Sequence, residues 1–375
     1  MIDTHLSGLY FHIPFCKQSC IYCNFYFKNG RKYAPEFIEA LLREIDLKLN
    51  GNTSEFTTLY FGGGTPSFLE SEHLKAIFDK LSEYVDVSQF AEITFEANPD
   101  DMTAANLQLW QSLGINRLSV GIQSFYDEHL QWMNRAHSGE EADKALRLAG
   151  EMGFDLSIDL IFGIPGCSNE QWQSNLEKAL SFNIQHISCY GLTLEDKTPW
   201  KKLIQTKSYA LPDETQGSEQ FMMAMDYLHQ NGWVQYEISN YSLPGKEAVH
   251  NTAYWRNVPY LGFGPSAHSY NGQSRSWNVA DLREYSDQIL QGNLPESSEE
   301  LSDADRYNEY VMTGLRTIWG ISYAKLLQMC NGDLEVQQHL QKHLHNGDFL
   351  MQDDTLTLSQ EGKLYADAIA ADLFM

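Results

Sequence analysis

Between residues 8 and 192 one pattern recurs six times: a short apolar or alternating segment, then an amphipathic stretch at helical spacing. Residues 8–13, 57–61, 92–96, 117–122, 155–162 and 186–192 read as strands. Residues 35–49, 72–84, 104–113, 140–152 and 170–180 read as the intervening helices. Pro35 opens the first of them, with Phe37, Leu41, Leu42, Ile45 and Leu49 on one face. Alternating β–α units imply a parallel sheet with crossover helices. Periodicity leaves two arrangements open, a partial barrel and an open doubly wound sheet. Either one puts functional residues at the C-terminal ends of the strands.

The chemically distinctive residues fall at those ends. After the first strand comes FCKQSCIYCNF, with Cys16, Cys20 and Cys23 at Cys-x3-Cys-x2-Cys spacing. Three thiolates on one short loop hold three irons of a [4Fe–4S] cube and leave the fourth iron open to a small molecule; relay clusters take four cysteines. A zinc site normally needs a fourth ligand at paired spacing, and His12 lies too near on the strand side to supply it. A disulfide framework does not suit six cysteines in 375 residues. Cys167, Cys189 and Cys330 read as ordinary buried thiols.

The other strand ends add polar groups. Gly62-Gly63-Gly64-Thr65-Pro66 follows the second strand, and consecutive glycines let backbone amides approach a ligand. It lacks the Gly-Lys-Ser/Thr end of a phosphate loop. Glu96 ends the third strand, where a carboxylate suits ribose hydroxyls, although taken alone a surface-facing or helix-capping role is the commoner one. Gln123 supplies a donor and an acceptor, and Arg135 suits a bidentate grip on a carboxylate. Asp159 sits inside the apolar run SIDLIFGIP, and a buried carboxylate is costly unless paired or bound.

Composition excludes some classes. The net charge of −24 argues against general nucleic-acid binding, which depends on Lys and Arg neutralising phosphates. The first residues, MIDTHLSGLYFHIPF, lack the basic and apolar regions of a signal peptide, and no stretch approaches the ~20 apolar residues of a membrane span. A soluble, cytoplasmic protein is expected, where thiols stay reduced.

Past residue 200 the pattern changes. Residues 206–214 read as a loop, 219–230 as a helix, 236–280 as irregular and 295–302 as an acidic linker. Helices are expected over 304–319, 323–330 and 334–345, then a hairpin around Asp353-Asp354 and a final helix over 362–374. That order resembles a winged-helix module. Residues 301–375 carry 5 Lys+Arg against 11 Asp+Glu, so a lid or docking role suits it better than reading DNA. The expected organisation is a core domain over 1–235, a connecting region over 236–295 and a C-terminal helical domain over 296–375.

In combination CKQSCIYC, YFGGGTP, FEANP, RLSVGIQSF, MNRAHS and IDLIFGIPG resemble the radical SAM (S-adenosylmethionine) superfamily. Within it they resemble the group of oxygen-independent coproporphyrinogen III oxidase, over about residues 6–290. The resemblance implies an α/β fold, a partial (β/α)6 barrel with a C-terminal, mainly helical, winged-helix-like domain. It implies a [4Fe–4S] cluster on Cys16, Cys20 and Cys23, whose open iron takes the amino and carboxylate groups of SAM. Gly63, Gly64 and Thr65 match the motif facing the methionine end, and Glu96 the ribose-binding acid. Gln123, Arg135 and Asp159 match further SAM contacts, and Tyr10 an aromatic near the cluster. In such enzymes a reduced cluster cleaves SAM to a 5′-deoxyadenosyl radical.

Two features separate this chain from the oxidase. Asn24-Phe25 stand where the oxidase pattern has a fourth cysteine, two positions after the third, which counts against the alternative activity of a coproporphyrinogen III dehydrogenase. His250-Asn251-Thr252-Ala253-Tyr254-Trp255 then forms an HNxxYW motif, followed by YLGFGPSAHSY. Both resemble the haem-chaperone branch of the group. That branch implies haem as cargo; histidine is a common haem ligand, so His250 is the candidate ligand and His268 a rival, with Tyr254, Trp255 and Trp277 against the ring, the alternative being that His250 and Asn251 hydrogen-bond a loop while the aromatics fill a core. It implies haem-accepting partners such as respiratory enzymes, reached where needed by a transient contact with a membrane protein.

Overall fold

A computed structural model describes residues 6–196, 198–206 and 209–375. The start of the N-terminal segment and part of the loop expected over 206–214 lie outside the described residues. In chain order the first half runs β1 (Leu6–Ile13), β2 (Phe15–Cys16), β3 (Lys28–Asn29), α1 (Ala34–Leu49), β4 (Glu55–Gly63), α2 (Ser71–Leu81), β5 (Glu92–Ala97) and α3 (Ala104–Ser112). It continues with β6 (Arg117–Gln123), α4 (Asp127–Trp132), α5 (Gly139–Glu151), β7 (Asp155–Phe162), α6 (Asn169–Leu180) and β8 (His186–Gly191). Ser138 and Ser168 start α5 and α6 with capping boxes closed by Glu141 and Gln171.

β1, β4, β5, β6, β7 and β8 pair in that sequential order, all parallel. Crossovers between parallel strands are right-handed, so an order that never reverses puts every helix on one face. The sheet therefore curls around its other face, as a partial barrel, rather than lying open between two helix layers. Residue alternation agrees. Leu9, Phe11, Leu59, Phe61, Ile93, Phe95, Leu118, Val120, Ile158 and Leu160 are buried in the main apolar core. The residues between them are Tyr10, His12, Thr58, Tyr60, Glu92, Thr94, Glu96, Arg117, Ser119, Ser157 and Asp159, on the opposite face. A sheet covered by helices on both sides reads apolar throughout; here the inner face is polar and awaits polar ligands.

The next segment differs from the sequence expectation. α7 (Pro199–Gln205) precedes α8 (Glu214–Gln230), which begins before residue 219 because Asp213 caps it, accepting from Thr215 and Gln216 amides. Residues 236–280 are not irregular. β9 (Val234–Glu237), β10 (Asn240–Ser242), α9 (Val249–Trp255), β11 (Tyr260–Phe263), β12 (His268–Tyr270) and β13 (Ser274–Asn278) fill the region. β10 and β9 extend the sheet antiparallel beyond β8, and β11 pairs parallel with β1 at its other side. These strands are three to five residues long and carry Asn, Ser and Gly, so they lack the apolar signature of central strands.

After α10 (Leu282–Leu290) comes β14 (Glu296–Glu300), where an acidic linker was expected. It pairs along its whole length with β13, and all five of its residues are exposed. Charged side chains suit an edge strand, where they discourage pairing with other chains.

The C-terminal region has its own core, from Tyr307 to Leu373. It comprises α11 (Asp303–Leu315), β15 (Ile321–Ser322), α12 (Tyr323–Met329), α13 (Leu334–Asn346), β16 (Phe349–Gln352), β17 (Thr355–Leu358) and α14 (Ala366–Asp372). This is the expected winged-helix-like order. α11 stops at Leu315 rather than running to residue 319, because Arg316–Gly320 turns to meet the barrel. The Arg316 carbonyl accepts from the Ile238 amide at 3.0 Å, and its guanidinium bridges Glu237 and Asp367. The final helix is also shorter, because residues 362–365 form a 3-10 turn before α14.

Candidate functional site

The cysteine loop is tied at both ends. β2 and β3 pair across its base, and the Gly30 amide donates to the Cys16 carbonyl at 2.9 Å. Asn134 clamps its middle, donating through Nδ2 to the Ser19 carbonyl at 2.6 Å while its own carbonyl accepts from Gln18. The glycine run lies beneath. Gly64 and Thr65 amides donate to the Ile13 and Phe15 carbonyls at 2.8 and 2.7 Å. A Cβ on Gly64 would stand 2.8 Å from backbone atoms of both residues, so only glycine fits.

Three free thiols follow from this placement, with Cys16 buried and Cys20 and Cys23 half-buried. Cys16 Sγ accepts from Thr65 Oγ1 at 3.5 Å, and Cys20 Sγ from the Arg135 guanidinium at 3.3 Å. Burial pushes the Cys16 thiol up to about 12 and that of Cys23 to about 11, and the neighbouring cysteines push the same way. A bound metal reverses this, since a coordinating thiol is deprotonated outright. Among the described residues no three His, Cys, Asp or Glu side chains surround a single ion. A cube gives each thiolate a different iron, so the donor set fits a cluster, with the Arg135 charge beside it.

Cys16, Cys20 and Cys23 line one cavity of about 420 Å3 together with Gly63, Gly64, Thr65, Glu96, Gln123, Arg135 and Asp159. The same cavity carries two carboxylates. Glu96 accepts from Tyr60 Oη at 2.7 Å and from the Gly63 amide at 3.2 Å. Its carboxyl faces the cavity but is otherwise enclosed. Burial raises it to about 7, and the Asp159 charge adds to that despite the two hydrogen bonds. Asp159 is raised to about 6, again by burial, against Ser188, Arg117 and Arg135, which lower it. The cavity thus has two carboxyls held at a cost, a state relieved by a cation or by hydroxyl donors.

Gln123 is buried at the end of β6 with φ 64°, after a register shift against β7. A non-glycine residue in the left-handed region stores strain, and such strain gathers at ligand sites. Arg135 donates to Asn98 Oδ1 at 2.8 Å and the Gly121 carbonyl at 2.7 Å, which leaves Nε as its unpartnered donor. Asn98, next to Pro99 in FEANP, therefore orients the arginine; the motif named the segment without revealing that task.

The structure does not bring Tyr10 and His250 into this cavity. Tyr10 stacks on Tyr60 with centroids 6.0 Å apart and hydrogen-bonds His12, which turns it toward a second cavity of about 640 Å3. His250 lines neither. It is 1% exposed on α9, with Nδ1 2.8 Å from Thr58 Oγ1 and Nε2 2.8 Å from Tyr254 Oη. Its ring stacks on Tyr60 at 5.0 Å, and burial lowers its pKa to about 3. Gly8 gives it room: a Cβ there would be 2.9 Å from the imidazole.

Sequence reasoning missed Glu92. Its carboxylate accepts from the Val249 and His250 amides at 2.8 and 3.0 Å, capping α9, and Arg117 lies 3.9 Å away. Glu92 and Glu96 share the inner face of β5, so the period-2 pattern held the signal. It did not say that a helix beginning 157 residues downstream would plug the barrel there.

A family model of the radical SAM superfamily matches residues 10–179. A haem chaperone, HemW, from Bacillus subtilis (strain 168) is 34% identical over 88% of this chain and 88% of its own length. The HemW of Escherichia coli (strain K12) is 30% identical over the whole of both chains. The solved structure of coproporphyrinogen III oxidase (HemN) from Escherichia coli, a radical SAM enzyme, superposes with a TM-score of 0.84. It covers 99% of this chain and 90% of that one at 24% identity, a likeness of fold.

Proposed function

The chain belongs to the HemW family of the radical SAM superfamily, and from that premise we propose that it is a haem chaperone. It would bind haem and pass it to acceptor haem proteins in the cytoplasm, respiratory enzymes among them. No helix among the described residues is long and apolar enough to cross a membrane. Acceptors in a membrane would therefore be met by contact.

One observation carries the reading of the cofactors: ten residues from five strand ends and the loops after them converge on a single cavity. Cys16, Cys20 and Cys23 would hold the [4Fe–4S] cluster. Bound there, cluster and SAM supply a redox-active iron site and a sulfonium ligand. Arg135 holds positive charge against the Cys20 sulfur and steadies the thiolate form. Gly63 and Gly64 let the strand end pack directly against His12 and the Ile13–Phe15 backbone at the cavity wall, and Thr65 donates to the Cys16 sulfur. Glu96 keeps acceptor lone pairs for ribose hydroxyls. Asp159 faces the cavity as a second carboxylate that a sulfonium charge would relieve, and Gln123 offers its amide from the end of β6.

The test is haem transfer. Cluster-reconstituted, haem-loaded protein is mixed with an apo haem protein, and the gain of holo-acceptor is followed by absorption and activity. Transfer that exceeds spontaneous haem exchange is expected. Parity with free haem would reject the proposal. Robust protoporphyrinogen formation from coproporphyrinogen III under anaerobic conditions would favour the dehydrogenase instead.

A further inference from the structure

The second cavity has features that the SAM site does not use. It adjoins the first, because Asn24 and Phe25 line both. Its walls are aromatic: Tyr254 and Trp255 from α9, Tyr260 from β11 and Tyr270 from β12. Two large apolar side chains stand exposed at its rim, Phe25 at 67% and Met312 of α11 at 42%. A flat apolar molecule would cover both, and exposed apolar groups flanking a concave site mark binding surfaces.

His268 lies at the same cavity and is exposed, unlike His250. Its ring lies beside that of Trp277, its cross-strand partner on β13, with centroids 6.1 Å apart. The Gly264–His268 turn is itself anchored. Glu44, fully buried in α1, accepts from the Gly264 amide at 2.8 Å, from Asn278 at 2.6 Å and from Tyr285 at 2.6 Å. Arg275 of β13 faces the cavity with part of its guanidinium exposed, paired on one side with Glu309. It suits the carboxylates of a porphyrin side chain.

We propose that haem sits in this second cavity with His268 as its iron ligand, and that the HNxxYW motif contributes Tyr254 and Trp255 as walls. His250, bonded through both ring nitrogens, holds α9 in the barrel and does not ligate. This rests on the haem-chaperone reading and says where the cargo binds. A site open to solvent beside the cysteine loop suits a cargo that must leave again.

The experiment titrates haem into cluster-reconstituted protein and its variants, reading the Soret band and the ligand signature in electron paramagnetic resonance. His268→Ala should weaken binding by about tenfold or more and erase the histidine signature, as loss of a metal ligand or its support does. His250→Gln should keep that signature. Met312→Lys, at the exposed rim, should weaken binding without changing the ligand. An unchanged spectrum in His268→Ala, or loss of the signature only in His250→Gln with circular dichroism and iron content intact, overturns the assignment. If wild-type protein binds haem only without saturation, the chaperone reading fails and takes this inference with it. If wild type binds and transfers haem while His268→Ala does so equally well, this inference alone fails.

Discussion

Replacing Glu96 by Gln should make the metal-free protein more stable at alkaline pH and leave it nearly unchanged in acid. Glu96 titrates from an ordinary value of 4.5 in the unfolded chain to about 7 in the fold, chiefly through burial. Asp159 ionises first, at about 6, so Glu96 must lose its proton beside an existing negative charge. The folded state therefore holds an extra proton between 4.5 and about 7, and stability falls as pH rises through that window. Above it the full penalty stands, ~3 kcal/mol at 1.36 kcal/mol per tenfold change.

Gln cannot ionise. It still accepts from Tyr60 but puts an amide nitrogen or a poorer acceptor before the Gly63 N–H, at a constant cost of about 1 kcal/mol. That offset cancels between two pH values. Relative to wild type, the variant should gain about 2 kcal/mol in going from about pH 5.5 to about pH 8. Urea unfolding followed by tryptophan fluorescence measures it, and about pH 5.5 stays above the isoelectric point of about 4.8. A stability difference that is the same at both pH values would refute the claim that the cavity holds its carboxylates at a cost.

The remaining predictions concern the same framework. Cys20→Ser should abolish bound iron and the visible absorption of the reconstituted cluster, while Cys330→Ser, in the second core, leaves both intact; equal iron in the two variants would break the cluster assignment. Gly64→Ala should cost about 1–3 kcal/mol in thermal or urea unfolding, because its Cβ meets backbone on three sides, and should lower iron loading. Glu92→Ala should cost about 3–5 kcal/mol, since it leaves two α9 amides and the buried Arg117 without their anion; a loss below about 1 kcal/mol by urea unfolding would show that α9 is not held this way. SAM affinity by calorimetry should rise with pH through about 7 in wild type and lose that rise in Glu96→Gln, because the ionised carboxylate is the form that accepts ribose hydroxyls.

Much of the site was legible because its chemistry is local. The cysteine spacing, the glycine run and the strand-end Glu96, Gln123 and Asp159 each lie within a few residues of a strand terminus, and parallel β–α units bring such termini together whatever the sheet's closure. The tasks of Asn98 and Glu92 were not legible, because their partners, Arg135 and α9, come from distant segments. The short strands between residues 234 and 300 were missed for a related reason. Edge strands with polar residues gain their order from the sheet they join, and their own pattern is weak.

By itself, then, the sequence determined the alternation of strands and helices over residues 8–192, the three-thiolate loop and the polar groups ranged along the strand ends, since periodicity and spacing are properties of neighbouring residues. Tertiary structure decided the partial barrel over the open sheet, through a strand order that never reverses and so gathers the helices on one face. It also decided what the histidine of the HNxxYW motif does. A side chain's availability depends on what surrounds it, and Thr58, Tyr60 and Tyr254 close around His250 while His268, on a short strand at the edge of the second cavity, stays open.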